Sequence, residues 1–138
     1  MRKTNSRSAL FLGEVVLAML IFSLSSAVCV GLLFRAYSIS EASNDLNQAV
    51  FCAQSAAEVF KSQPDLEKAA LLLGGDIRSG QCVIYYNDNW HKTTGQDAVY
   101  TLLIIPSYSA DAAYATISIG KGADLIFELN TAVYGGGV

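Results

Sequence analysis

The stretch LFLGEVVLAML, Leu10 to Leu20, carries one carboxylate, Glu14, in an otherwise apolar run. The run continues through IFSLSSAVCVGLLF to Phe34 without another charge. Between Glu14 and Arg35 lie 20 uncharged residues. At ~1.5 Å per helical residue they span roughly 30 Å, the thickness of a bilayer's hydrocarbon core. A soluble helix of that length would turn a polar face to water, and this one has only scattered serines. Residues 10–35 therefore read as a transmembrane helix.

The flanks give it a direction. Arg2, Lys3 and Arg7 form a basic leader over residues 1–9, which holds no acid. Arg35 follows the apolar run, but Glu41 and Asp45 come soon after it. The positive-inside bias keeps the N-terminus in the cytoplasm and places residues 36–138 on the far side of a single-pass inner or cytoplasmic membrane anchor. Beyond Phe34 there are 6 Lys or Arg against 11 acids. An acidic domain without a basic cluster is poorly suited to gripping phosphates, so no direct nucleic-acid binding is expected.

A basic start and an apolar stretch also describe a cleaved secretory signal, and Ser25–Ala27 supplies a small-x-small site. Against that reading, the apolar run continues past Ala27, and Glu14 interrupts an early signal core. A lipoprotein reading would need a small residue before Cys29, where Val28 stands. A permanent anchor is the reading in which Glu14 has a task. Cleavage between Ala9 and Leu10, in SRSA followed by LFLGE, would leave Leu10 as first residue and Glu14 as fifth. The freed amine would then lie one helical turn, roughly 6 Å, from the carboxylate. It could neutralise its own Glu14 or that of a neighbouring copy, and a buried carboxylate that gains its partner on assembly favours one register.

This arrangement resembles the N-terminus of type IV pilins and pseudopilins: a short basic leader, a small residue at the cut, an apolar helix with glutamate fifth, and a long amphipathic continuation. The resemblance covers roughly Ser6 to Phe60. It implies that a prepilin peptidase cuts between Ala9 and Leu10 and methylates the new amine, and that Glu14 sets the assembly register. It also implies partners in the membrane, in other pilin or pseudopilin subunits and in the peptidase. The family usually has glycine before the cut and phenylalanine after it, where this chain has Ala9 and Leu10. Its usual TLIE appears here as FLGE.

The helix is expected to continue beyond the lipid. Ile39, Ala42, Leu46, Val50, Ala53, Ala57 and Phe60 recur at steps of three and four, the pattern of one buried helical stripe, while Glu41, Asp45, Gln54 and Glu58 fall elsewhere. Pro64 excludes the helical conformation at Gln63 and ends the segment. One helix of about 53 residues, Leu10 to about Ser62, would reach ~80 Å, with an amphipathic half over 36–62. A short helix over 65–73 follows, stopped by Gly74 and Gly75, and its triple leucine reads as core. The period then changes to two. Segments from Cys82, Asn89, Ala98, Tyr114 and Leu125 read as strands of a sheet over 82–134, with turns at Asn87–Asn89 and Gly120–Asp124. The expected fold is α+β: a long N-terminal helix packed on a small antiparallel sheet, as a pilin-like roll, with GGGV as a flexible tail.

Little in the chain points to catalysis. His91 is the only histidine, so a histidine-based metal site or triad has one available member. GGDIRSG contains glycines but no phosphate-cradling motif. Neither a metal nor a cofactor is expected, and the chain reads as a non-enzyme. An enzyme would be indicated by several of Asp76, Asp88, Asp97 and Asp111 gathering around a metal. The tyrosines suit a half-exposed sheet, or a patch that binds a partner or a sugar. Cys29 reads as apolar filler, whereas Cys52 and Cys82 form either a disulfide or two buried thiols. The functional expectation is a structural subunit, a minor pilin or pseudopilin, in a pilus, secretion or DNA-uptake filament. The alternative is a single-pass anchor displaying a binding module that does not polymerise.

Overall fold

A computed structural model describes residues 3–135 of the chain, with side chains from Ser6 onward. Met1, Arg2 and the tail residues 136–138 lie outside the described residues, as do the side chain of Lys3 and the expected tail flexibility. Two compact units result, residues 1–42 and residues 43–138. Helix α1 runs Lys3–Ser62, so the described part of the basic leader is helical.

In the first unit, Leu10, Phe11, Leu17, Phe22, Leu24, Val28, Leu33 and Phe34 are all exposed. Among the described residues α1 is the one helix long and apolar enough to cross a membrane. Its serines do not interrupt that character. Ser23, Ser25 and Ser26 each donate their hydroxyl to the carbonyl one turn back, on Met19, Ile21 and Phe22, at 2.8–2.9 Å. A hydroxyl satisfied by its own helix asks nothing of the surrounding solvent.

The second unit is an α+β layer pair. Strands β1 (Asp76–Arg78), β2 (Gln81–Tyr86), β3 (Lys92–Thr93), β4 (Tyr100–Tyr108), β5 (Ala112–Lys121) and β6 (Asp124–Tyr134) form one sheet. Its order is β1-β2-β4-β5-β6, with β3 beside β2. Every pairing is antiparallel, so the expected meander is present. One face carries Cys82, Ile84, Leu102, Ile104, Ile117 and Ile119, all at most 2 % exposed. Cross-strand partners put them in register: Cys82 with Ile104, Ile104 with Ile117, and Ile117 with Leu129. Because successive residues alternate faces, these side chains point together into the core, where Tyr86, Tyr100 and Ala115 of the same strands join them.

The helix meets that row along Ala49, Ala53, Ala56 and Phe60, each 0–1 % exposed. This line departs from the expected stripe at its upper end. Ile39 is 68 % and Leu46 43 % exposed, and Asp45 takes the inward position instead. The sheet covers α1 only from about Asp45 onward. Beneath the sheet the helix therefore presents the small side chains of Ala49, Ala53 and Ala56, and Leu46 faces away.

Pro64 ends α1 as expected, and α2 spans Leu66–Leu73 with Asp65 capping the Glu67 amide at 3.1 Å. Gly74 closes α2 in the left-handed conformation. The triple leucine is not core. Leu71 and Leu72 are 83 % and 64 % exposed, and α2 buries Leu66, Ala69 and Ala70. An eight-residue helix shows the sheet one narrow face, and the close-fitting alanines occupy it. The sheet also begins earlier than expected, since Asp76–Arg78 of the glycine-flanked GGDIRSG pairs with β2. The segment from Asn89 contributes only Lys92 and Thr93 as strand, because Asn87–His91 forms a tight turn. Asn87 Oδ1 there accepts the Asn89 and His91 amides at 3.0 Å.

Gly75 is required by close approach. A Cβ there would lie 2.5 Å from Cys82 Sγ and 2.8 Å from Ile84 Cγ1. Gly75→Ala is therefore expected to destabilise the unit by about 1–3 kcal/mol through overpacking. Gly95→Ala, whose Cβ would meet Tyr85 at 3.5 Å, should leave the urea midpoint nearly unchanged.

Candidate functional site

Two constellations carry the chemistry of this chain: the apolar face of α1, and the seam between helix and sheet. Ala9, Leu10 and Glu14 lie on continuous, exposed helix in the first unit. Gly13 has open space where a Cβ would stand, so the surface beside Glu14 is unobstructed. One turn on, Val15, Ala18, Met19, Phe22 and Ser23 line a shallow hollow on the helix surface. The small Ala18 between larger neighbours makes a notch into which a second apolar helix could fit.

The seam contains residues that the sequence reading placed elsewhere. Asp45 faces the sheet, where the Tyr100 hydroxyl donates to its Oδ1 at 2.8 Å. Lys121 Nζ approaches Oδ2 at 3.5 Å and lies 5.2 Å from the Tyr100 ring centre. A hydrogen bond to a carboxylate contributes about 1.5–3 kcal/mol, more than the half-exposed ion pair beside it. Asp45 was legible in principle, for it stands four residues before Ala49 on the line that continues through Ala53, Ala56 and Phe60. Its charge argued for solvent, and only the tyrosine across the seam reverses that.

Trp90 closes the same end of the seam. It stacks on Tyr100 with ring centres 4.0 Å apart and planes at 19°, and it lies 6.0 Å from Tyr86. Its backbone is in the left-handed region, φ 61°, which a bulky residue adopts only when its surroundings impose it. Its Nε1 is buried without an acceptor among the described residues. His91 beside it is exposed, outside any strand. Lys92 Nζ donates to the Leu73 carbonyl and ties β3 to the end of α2.

Cys52 and Cys82 are free thiols and not a disulfide in this structure. Cys82 and Tyr86 are buried in the core, and the half-buried Cys52 packs against it. Burial pushes both thiols and both tyrosines, Tyr86 and Tyr100, above their ordinary values. These groups are neutral when folded and ionise more readily when unfolded. Their contribution is thus complete below the unfolded values, 9.0 for thiols and 10.0 for tyrosines, and declines as pH rises toward the higher folded values. Thermal unfolding is expected to be flat from pH 7 to 8 and to fall steadily above pH about 9. Replacing Cys52 with alanine should blunt the first part of that fall.

Among the described residues no cluster of three or more His, Cys, Asp or Glu side chains is placed to hold a metal, and Asp76, Asp88, Asp97 and Asp111 are not brought together. No family model, curated protein or solved structure matches the chain. Its functional reading rests on its own residues.

Proposed function

We propose that this chain is a structural subunit of a type IV pilus-like or pseudopilus filament, held in the membrane by the first half of α1 and carrying its α+β unit outside. The observation that carries this reading is the continuity of α1. One helix joins a fully exposed apolar segment, whose charge within residues 10–34 is Glu14 alone, to the alanine-lined seam of a folded unit. An exposed apolar segment needs lipid or like helices around it. Glu14 near its start needs a cation, and a new amine at Leu10 would be the nearest. The filament would be built from stacked copies of that segment, with the seam keeping each outer unit fixed to its own helix.

The test is the mass of the native protein from its own membrane. The expected chain begins at Leu10, lacks residues 1–9 and carries one added methyl group on its amine. A chain beginning at Met1 removes the processing step and with it the partner for Glu14. The exposed Leu71 and Leu72 favour a second reading, a membrane-anchored module that docks one other protein. In that case the chain stays uncut and is indifferent to the Glu14 side chain.

A further inference from the structure

The two edges of the sheet are unlike. Among the described residues β6 has no strand on its outer side, and it runs 11 residues without a proline or a cation. Ile126, Phe127, Leu129 and Val133 on it pack against the core yet stay only partly buried. The opposite edge is β1, three residues long, with Ile77 45 % exposed and the Arg78 guanidinium 5.8 Å from the Tyr85 ring centre. An unpaired strand of β6's length is a template for another strand.

Direction and charge select the occupant. With every pairing in β1-β2-β4-β5-β6 antiparallel, β1 and β6 run the same way. Copies that share one direction and are related by translation alone bring β6 of one against β1 of the next, in parallel. Pairing of β6 with its own kind would need a two-fold axis normal to the sheet. Cross-strand register places Ile77 on the face of Cys82, Ile104, Ile117 and Leu129, and Arg78 on the opposite face with Glu128. Setting Ile77 against Phe127 therefore sets Arg78 against Glu128 and continues both faces across the junction. A slip by two residues would set Asp76 against Glu128, like charge on like.

We propose that neighbouring copies of this chain join edge to edge, β1 of one against β6 of the next, with Ile77 on Phe127 and Arg78 on Glu128. The contact rests on the filament reading for its shared direction. Three residues of pairing are weak alone and act through the high effective concentration that a common membrane provides.

The experiment uses the full chain in membranes with Arg78→Lys, which keeps the charge and supplies an amine. A carbodiimide joins an amine to a carboxylate in direct contact. Within one sheet, residues 78 and 128 sit at opposite edges, four strand spacings or about 19 Å apart, so such a link must join two copies. Mass spectrometry is expected to find residue 78 joined to residue 128, and Glu128→Gln should abolish that product. The exchanged pair, Arg78→Glu with Glu128→Lys, should form the 78–128 link in comparable yield, whereas Arg78→Glu alone should form none. If copies associate through Glu14 but no such link forms, edge pairing is wrong and the filament reading stands. A link that persists unchanged in Glu14→Val supports edge pairing and removes the support for the filament. A chain that is monomeric in its membrane overturns both.

Discussion

Phe60→Ala is expected to cost the outer unit about 3–5 kcal/mol, the largest effect of any single truncation in it. Phe60 is 0 % exposed and, with Tyr100, among the largest side chains fully buried in the protein. It stands in the last turn of α1, at the lower end of the alanine line. Alanines above it cannot expand into the space it would vacate, so the cavity term adds to the lost transfer energy. Trp90 is the only tryptophan and stacks within the same unit, so its fluorescence reports this unfolding in urea. Phe51 provides the comparison, being on the same helix but 67 % exposed. Phe51→Ala should move the midpoint by no more than about 0.5 kcal/mol. Equal losses at the two positions would mean that the seam has been drawn along the wrong face.

Glu14→Val is expected to separate insertion from assembly. Removing an acid from an apolar helix makes insertion easier, so the amount of protein in the membrane should hold or rise. Assembly should collapse. Removing one partner of a buried pair leaves the other charge uncompensated, at a cost of about 3–5 kcal/mol, or at least on the order of a hundredfold in association. Cross-linking in membranes, followed by sedimentation of the detergent-solubilised products, reads both quantities in one preparation. Glu14→Asp, which keeps the charge but shortens its reach, should fall between the two. Association of Glu14→Val at the wild-type level would leave the acid as an interfacial residue tolerated by lipid, and the second reading would take precedence.

The two predictions divide along the two units and differ in how far they could be read in advance. Leu10 to Phe34 announces itself without a fold, because its consequence depends only on length and hydropathy. Pro64 and Gly74 mark helix ends by local backbone chemistry, and both act as expected. The strands from Cys82, Ala98, Tyr114 and Leu125 follow from alternation. By contrast, Leu71 and Leu72 look like core and are exposed, while Asp45 looks like surface and is held by Tyr100. Trp90 sits in what read as a strand, yet its turn swings it onto Tyr100. Each of these depends on what another element, distant in the chain, places opposite.

The sequence by itself determined where the chain is helix, where it alternates, where it stops and which segment is long and apolar enough to cross a membrane, since those properties arise from neighbours within a few residues. Only the tertiary structure decided which line of α1 faces the sheet, that β1 completes one edge, and that Asp45 and Trp90 close the seam. What stands opposite in space governs those outcomes: the sheet buries Ala49, Ala53 and Ala56, while Leu46 and Leu71 have nothing laid over them and stay exposed.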